Sequence, residues 1–143
     1  MNIIEPKTEE EFEKYFFLRW EILRKPWNHP YSPKGDDMED QCIHALMLDE
    51  NEEAIGVCRL QFNSAEEGQI RYMAVRENQQ GRGLGGKIIQ FMESKAIGKG
   101  AQYMILNARE NAVEFYKGQK YIVTEPSHLL WGAIPHFLMK KIF

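Results

Sequence analysis

Two cysteines are too few for a disulfide framework, and Cys42 and Cys58 form neither a C-x-x-C pair nor a zinc-ligand spacing. Two reduced thiols are the expectation. His29, His44, His128 and His136 are scattered with no H-x-x-x-H pair, so no metal is expected. No apolar run approaches the roughly 20 residues that span a bilayer, which argues against a membrane partner. The N-terminal Met1-Asn2-Ile3-Ile4-Glu5-Pro6 lacks the basic and long apolar pattern of a signal peptide, so the cytoplasm is the expected compartment. A net charge of −3 over 143 residues is slight and speaks against a general nucleic-acid binder. Repeats, low-complexity tracts and linkers are also missing. What remains is an ordinary globular composition, long enough for one domain, 1–143, with a sizeable core.

One stretch stands out: Gln80-Gly81-Arg82-Gly83-Leu84-Gly85-Gly86. It follows an apolar run from Ile70 to Val75 that reads as a strand. It leads into Leu84, Ile88, Ile89, Met92 and Ala96, spaced as one face of a helix. Four glycines therefore sit at a strand-to-helix junction. Glycine permits positive φ and close approach of a ligand to the backbone, and a helix start offers free N–H groups to an anion. Arg82 and Lys87 add positive charge. The physical reading is a cradle for phosphate oxygens.

Two other phosphate loops compete. Gly81-x-Gly83-x-x-Gly86 matches the dinucleotide fingerprint, but five residues separate it from its strand and no acidic ribose ligand follows at the right distance. Gly81 to Lys87 imitates the P-loop, yet Ile88 replaces its magnesium-binding hydroxyl. The third pattern, Gln or Arg followed by x-x-Gly-x-Gly at the helix start, is met by Gln80, Gly83 and Gly85. Here the chain resembles the GNAT superfamily of N-acetyltransferases. That resemblance implies acetyl-CoA as co-substrate, with its pyrophosphate held by Gln80, Gly81, Arg82, Gly83, Leu84, Gly85 and Gly86. It also implies that the preceding strand, Met73-Ala74-Val75, pairs with the pantetheine arm and offers the Val75 N–H to the reacting carbonyl oxygen.

A second motif, Asn111-Ala112-x-x-Phe115-Tyr116-x-x-x-x-Tyr121, is similar in residue types to the family's Asn-x-x-Ala-x-x-x-Tyr-x-x-x-Gly-Phe, with altered spacing. The resemblance assigns Tyr116 as the general acid toward the leaving thiolate and Asn111 as a pantetheine ligand. It covers most of residues 54–143 and is thin before residue 45. The acceptor is then a primary amine of a small molecule or a protein. The same residues would serve a non-catalytic acyl-CoA-binding module, a reading favoured by one departure. Many relatives place a Glu on the strand before the loop, and Gln69, Arg71 and Met73 stand there instead. His44, Glu39 or Asp40 through a water are candidate bases. Arg71 is a candidate for an acidic group on the substrate.

The remaining elements follow from patterning. Asn2 to Glu5 is a short strand, and Thr8-Glu9-Glu10-Glu11 is a capping box. The helix it opens carries Phe12, Tyr15, Phe16, Leu18 and Ile22 and should end near Lys25, before Pro26. Residues 26–40 are irregular, with aromatics beside Asp36, Asp37, Glu39 and Asp40, a mixture suited to a cationic substrate. Strands are expected at His44–Leu48 and Ala54–Phe62, the second with Val57, Arg59 and Gln61 on a polar face. The loop helix should run from Leu84 to Ile97. A strand follows at Gln102–Asn107, parallel to Gln69–Val75, then a short helix ended by Gly118. The chain closes with a strand at Lys120–Thr124, a loop at Glu125–Gly132 and a strand at Ile134–Ile142. The expected fold is α/β (α+β), a mixed sheet of six to seven strands with helices on both faces. Its edge near the C-terminus could pair with a second copy as a homodimer.

Overall fold

A seven-stranded mixed sheet forms the centre of the computed structural model, which describes residues 1–33 and 35–143. In chain order its strands are β1 (Asn2–Ile4), β2 (Ile43–Leu48), β3 (Ala54–Phe62), β4 (Glu67–Val75), β5 (Tyr103–Arg109), β6 (Ile122–Leu130) and β7 (Ile134–Ile142). Their spatial order is β1-β2-β3-β4-β5-β7-β6. Only β4 and β5 run parallel, joined by the crossover helix α2 (Leu84–Gly98). The first helix is α1 (Glu9–Leu23), and α3 (Val113–Gly118) lies between β5 and β6.

The helices divide the core. Ile88, Ile89, Met92 and Ala96 of α2 and Tyr116 of α3 pack with Cys58, Leu60, Ile70, Met104 and Leu106 on one face of the sheet. Tyr15 and Leu18 of α1 pack with Leu46, Val57 and Ala74 on the other. Side chains alternate across a strand, so each central strand feeds both layers. The capping box forms as expected: the Glu11 N–H donates to Thr8 Oγ1 at 3.1 Å, and Glu11 Oε1 accepts from the Thr8 N–H at 3.1 Å.

Two expectations are corrected. The loop expected at Glu125–Gly132 is mostly strand, because β6 runs on to Leu130 and turns at 131–133. Pro126 is accommodated because β6 is the outer strand, where a missing N–H costs no ladder bond, and the register shifts around it. The polar face expected on β3 is not solvated. Arg59 is fully buried and Gln61 nearly so. The segment carrying Asp36 and Glu39 folds over them and supplies the counter-charges.

Candidate functional site

The glycine loop is built as a set of outward-facing backbone donors. A short 3₁₀ turn at Glu77–Gln79 ends in extended backbone at Gln80, and Gly81 and Gly83 then take φ of 81° and 77°. A side chain there would adopt the left-handed region that non-glycine residues pay about 1–2 kcal/mol to enter. A Cβ at either glycine would meet nothing within 4 Å, so open space lies over the loop. Gly83 caps α2 without a side-chain hydrogen bond. No acceptor among the described residues engages the N–H groups of Gly81, Arg82, Gly83, Leu84, Gly85 or Gly86, and the helix ladder begins with Lys87 N–H to the Gly83 carbonyl at 3.3 Å. Six successive unengaged donors and the positive end of the α2 dipole thus come together at the start of α2, a fit for phosphate oxygens.

The other two glycines have packing roles. A Cβ on Gly85 would come within 2.9 Å of the Phe115 ring, and one on Gly86 within 3.0 Å of Gln119 Nε2. They let α2 start close against α3. Gln80 braces the loop: its Nε2 donates to the Val75 carbonyl at 2.9 Å, and its own N–H bonds back to Glu77. The Arg82 guanidinium bonds Gln79 Oε1.

Upstream of the loop the sheet parts. The β4–β5 pairing ends at Ile70↔Leu106, although β4 continues to Val75 and β5 to Arg109. The β3–β4 register also shifts between Val57 and Arg59, and Tyr72 is held at φ 54° in the irregular stretch. Beyond it the Arg76 N–H donates to the Ile55 carbonyl at 2.8 Å. Alternation along the strand therefore turns the Val75 N–H away from β3 and toward the opening beside β5. Met73 lines the opening, whereas the Ala74 side chain is buried against the α1 layer.

A cavity of about 480 Å³ occupies this parting. Its wall is drawn from both faces of the sheet. Ile70, Met73, Leu106, Ala108, Ala112 and Tyr116 come from the α2–α3 face, and Gln69, Arg71, Asn107, Arg109 and His136 from the other. Trp131 and His128 of the β6–β7 hairpin and Arg24 at the end of α1 add to it, with Leu23, Tyr72 and Leu130. The hairpin is tied to the segment after α1 by the His29 ring stacked on Trp131 at 3.9 Å.

Tyr116 is 7% exposed, its hydroxyl has no hydrogen-bond partner among the described residues, and that oxygen is not sealed off. Burial, with the nearby Cys58, raises its pKa well above the usual phenol value, so it holds its proton. Asn111 sits on the exposed turn before α3 and not in the cavity wall. His136, absent from the candidate bases, is in that wall. Its Nδ1 must donate to the Ile134 carbonyl at 2.9 Å, which leaves Nε2 as an acceptor. Burial lowers its pKa below the ordinary imidazole value, so it is neutral at pH 7. His136 pairs with Arg109 across β5 and β7, a juxtaposition of residues 27 apart that only the register reveals.

The candidate bases lie elsewhere. The His44 Nδ1 accepts from the Tyr15 hydroxyl at 2.7 Å, and its Nε2 donates to the Glu39 carbonyl at 2.8 Å, so both nitrogens are used. Glu39 is locked between Arg19 and Arg59, and neither it nor Asp40 lines the cavity.

The acetyltransferase (GNAT) family profile matches residues 9–121. The uncharacterized N-acetyltransferase YjcF of Bacillus subtilis (strain 168) is 31% identical over 141 residues, 99% of each chain. Among solved structures, an aminoglycoside 6'-N-acetyltransferase complexed with coenzyme A superposes with a TM-score of 0.82 at 15% identity, over 99% of this chain and 97% of that one. Escherichia coli ElaA gives 0.78 at 20% identity, over 98% and 97%. At such identities the two structures speak for the fold.

Proposed function

Because the chain belongs to the acetyltransferase (GNAT) family, and so is an acyltransferase, we propose that it transfers the acetyl group of acetyl-CoA to a primary amine of a small molecule or protein. The row of unengaged N–H groups from Gly81 to Gly86 carries this reading, because it ends beside a parted sheet whose cavity holds Tyr116. The fold's likeness to an acetyltransferase solved with coenzyme A supports it. When bound, acetyl-CoA supplies an activated thioester carbonyl.

The residues divide the remaining work. Gly81 to Gly86 hold the pyrophosphate through backbone N–H groups, with Gln80 keeping the loop in place. Met73 and the backbone of Ala74 and Val75 line the pantetheine channel, and the Val75 N–H is available to the oxygen on which negative charge develops. A primary amine, which in water titrates near pH about 10.4, arrives protonated. His136 Nε2 takes that proton, the freed nitrogen forms the new C–N bond, and as the C–S bond breaks the nitrogen sheds its second proton to solvent, which in turn restores the proton that Tyr116 gives up. The Tyr116 hydroxyl gives its proton to the departing sulfur. Asn111, outside the cavity wall, is assigned to the outer part of the pantetheine arm.

The histidine role makes a prediction in the pH–rate profile. With the neutral imidazole acting on an ammonium, kcat/KM should rise with unit slope up to the lowered His136 pKa, below about 6.5. It should then stay flat until the amine itself titrates. In His136→Gln, transfer needs the free amine, so kcat/KM should fall by roughly 10²-fold at pH 7. It should also climb without a plateau toward the amine pKa. A plateau that persists in the variant removes His136 as the base.

A further inference from the structure

The cavity that holds Tyr116 and His136 has an unbalanced charge. Arg24, Arg71 and Arg109 are all in its wall, and no aspartate or glutamate is. Arg109 is half-buried; one Nη donates to the Leu23 carbonyl at 2.9 Å, and no carboxylate pairs with it among the described residues. Arg24 also has no carboxylate partner there. The Arg71 guanidinium lies 4.7 Å over the Tyr72 ring; among the described residues its one carboxylate contact is Asp36 at 4.0 Å, and that carboxylate is already committed to Arg59 at 2.9 Å. Of the acidic run that the sequence offered to a cationic substrate, Asp36 and Glu39 are engaged by Arg59 and Arg19, and none of its carboxylates is in the cavity wall.

An ammonium alone would enter this site against three guanidinium groups. A partly desolvated arginine without a counter-ion is costly, and an anion that enters with the substrate would relieve that cost. The arginines stand on the face opposite α2 and α3, as His136 does, so they border the side from which an acceptor reaches the imidazole. Gln69 and Asn107 on the same face add neutral hydrogen-bonding groups.

Resting on the acetyl-transfer reading, we propose that the acceptor is an amine that also carries an acidic group, carboxylate or phosphate, held by Arg71 and Arg109 with Arg24 at the rim. The anion draws the substrate in and offsets the positive charge that Arg109 places beside His136.

Matched acceptor pairs test this: β-alanine against 3-aminopropanamide, and phosphoethanolamine against ethanolamine, each with acetyl-CoA, read by release of the CoA thiol. The acid-bearing member of at least one pair should show kcat/KM at least tenfold higher, and the pair that does so separates a carboxylate from a phosphate. Arg71→Gln and Arg109→Gln should each cut that advantage at least fivefold, chiefly through KM. Arg71 is 40% exposed at its side chain, so its variant keeps the test valid if the loss of the Leu23 bond unfolds Arg109→Gln. In parallel, calorimetry on the CoA-bound protein compares N-acetyl-β-alanine with its amide, and N-acetylphosphoethanolamine with N-acetylethanolamine. Equal binding of acid and neutral partners, or faster turnover of the neutral amines, overturns the proposal. Tight acetyl-CoA binding and a preference for the acidic products, with no amine turned over, would instead sink the transfer reading and leave the anion site standing.

Discussion

Tyr116→Phe should lower kcat by roughly 10²- to 10³-fold, the range expected for loss of a positioned acid, while the Kd for acetyl-CoA changes by less than about threefold. The ring is packed edge-on against Phe115 and Tyr121, at 4.9 and 6.0 Å between centroids, and phenylalanine keeps those contacts. Among the described residues the hydroxyl has no partner to leave orphaned, so stability should hardly change. A burial-raised pKa makes the phenol a weak acid at rest, but a thiolate generated beside it in a low-dielectric cavity is a matching base. Single-turnover rates at saturating acetyl-CoA, set beside calorimetric affinities, separate the two effects. An unchanged rate would remove the acid role and bring forward an acyl-CoA-binding module on this fold.

Arg59→Met should destabilise the protein by about 3–5 kcal/mol, the cost of removing one partner from a buried ion pair. Arg59 is fully buried on β3. Its Nη1 donates to Asp36 Oδ1 at 2.9 Å and lies 3.1 Å from Glu39 Oε2, and its Nη2 donates to Gln61 Oε1 at 2.8 Å. Glu39 also meets Arg19 at 2.7 Å, and the Arg19 guanidinium sits 3.6 Å over the Tyr72 ring. This cluster ties the segment after α1 to the irregular stretch of β4 that opens the cavity. Burial alone would raise both carboxyls, but the Met38 N–H and Arg59 hold Asp36, and Arg19, the Asp36 N–H and Arg59 hold Glu39, below their ordinary values. Such groups add stability above the unfolded carboxylate pKa of about 4 and lose it as pH falls through the lower folded values. In Arg59→Met that loss should begin at higher pH. Urea unfolding at pH 7 and pH 4 measures both effects, and a cost below about 1 kcal/mol at pH 7 would refute the account of the cluster.

Local signals were readable where local physics decides the outcome. The Thr8–Glu11 box starts α1, the glycines mark the start of α2 at Leu84, and alternation marked β3. The extension of β6 through Pro126 was hidden, because whether proline can sit in a strand depends on that strand lying at the sheet edge. The burial of Arg59 was hidden for a related reason: its counter-charges come from residues 20 and 23 positions earlier. His136 gave no motif signal either. Strand register brings Arg109 beside it, and helix placement puts Tyr116 in the same cavity wall, which no spacing in the chain records.

The central claim is that backbone donors at the start of α2 receive the phosphates of CoA, and titration with CoA followed through backbone amide resonances tests it most directly. The amides of Gly81, Gly83, Leu84, Gly85 and Gly86 should move together with one saturating affinity and gain protection from hydrogen exchange. CoA that saturates the protein while those five amides stay where they were would contradict it.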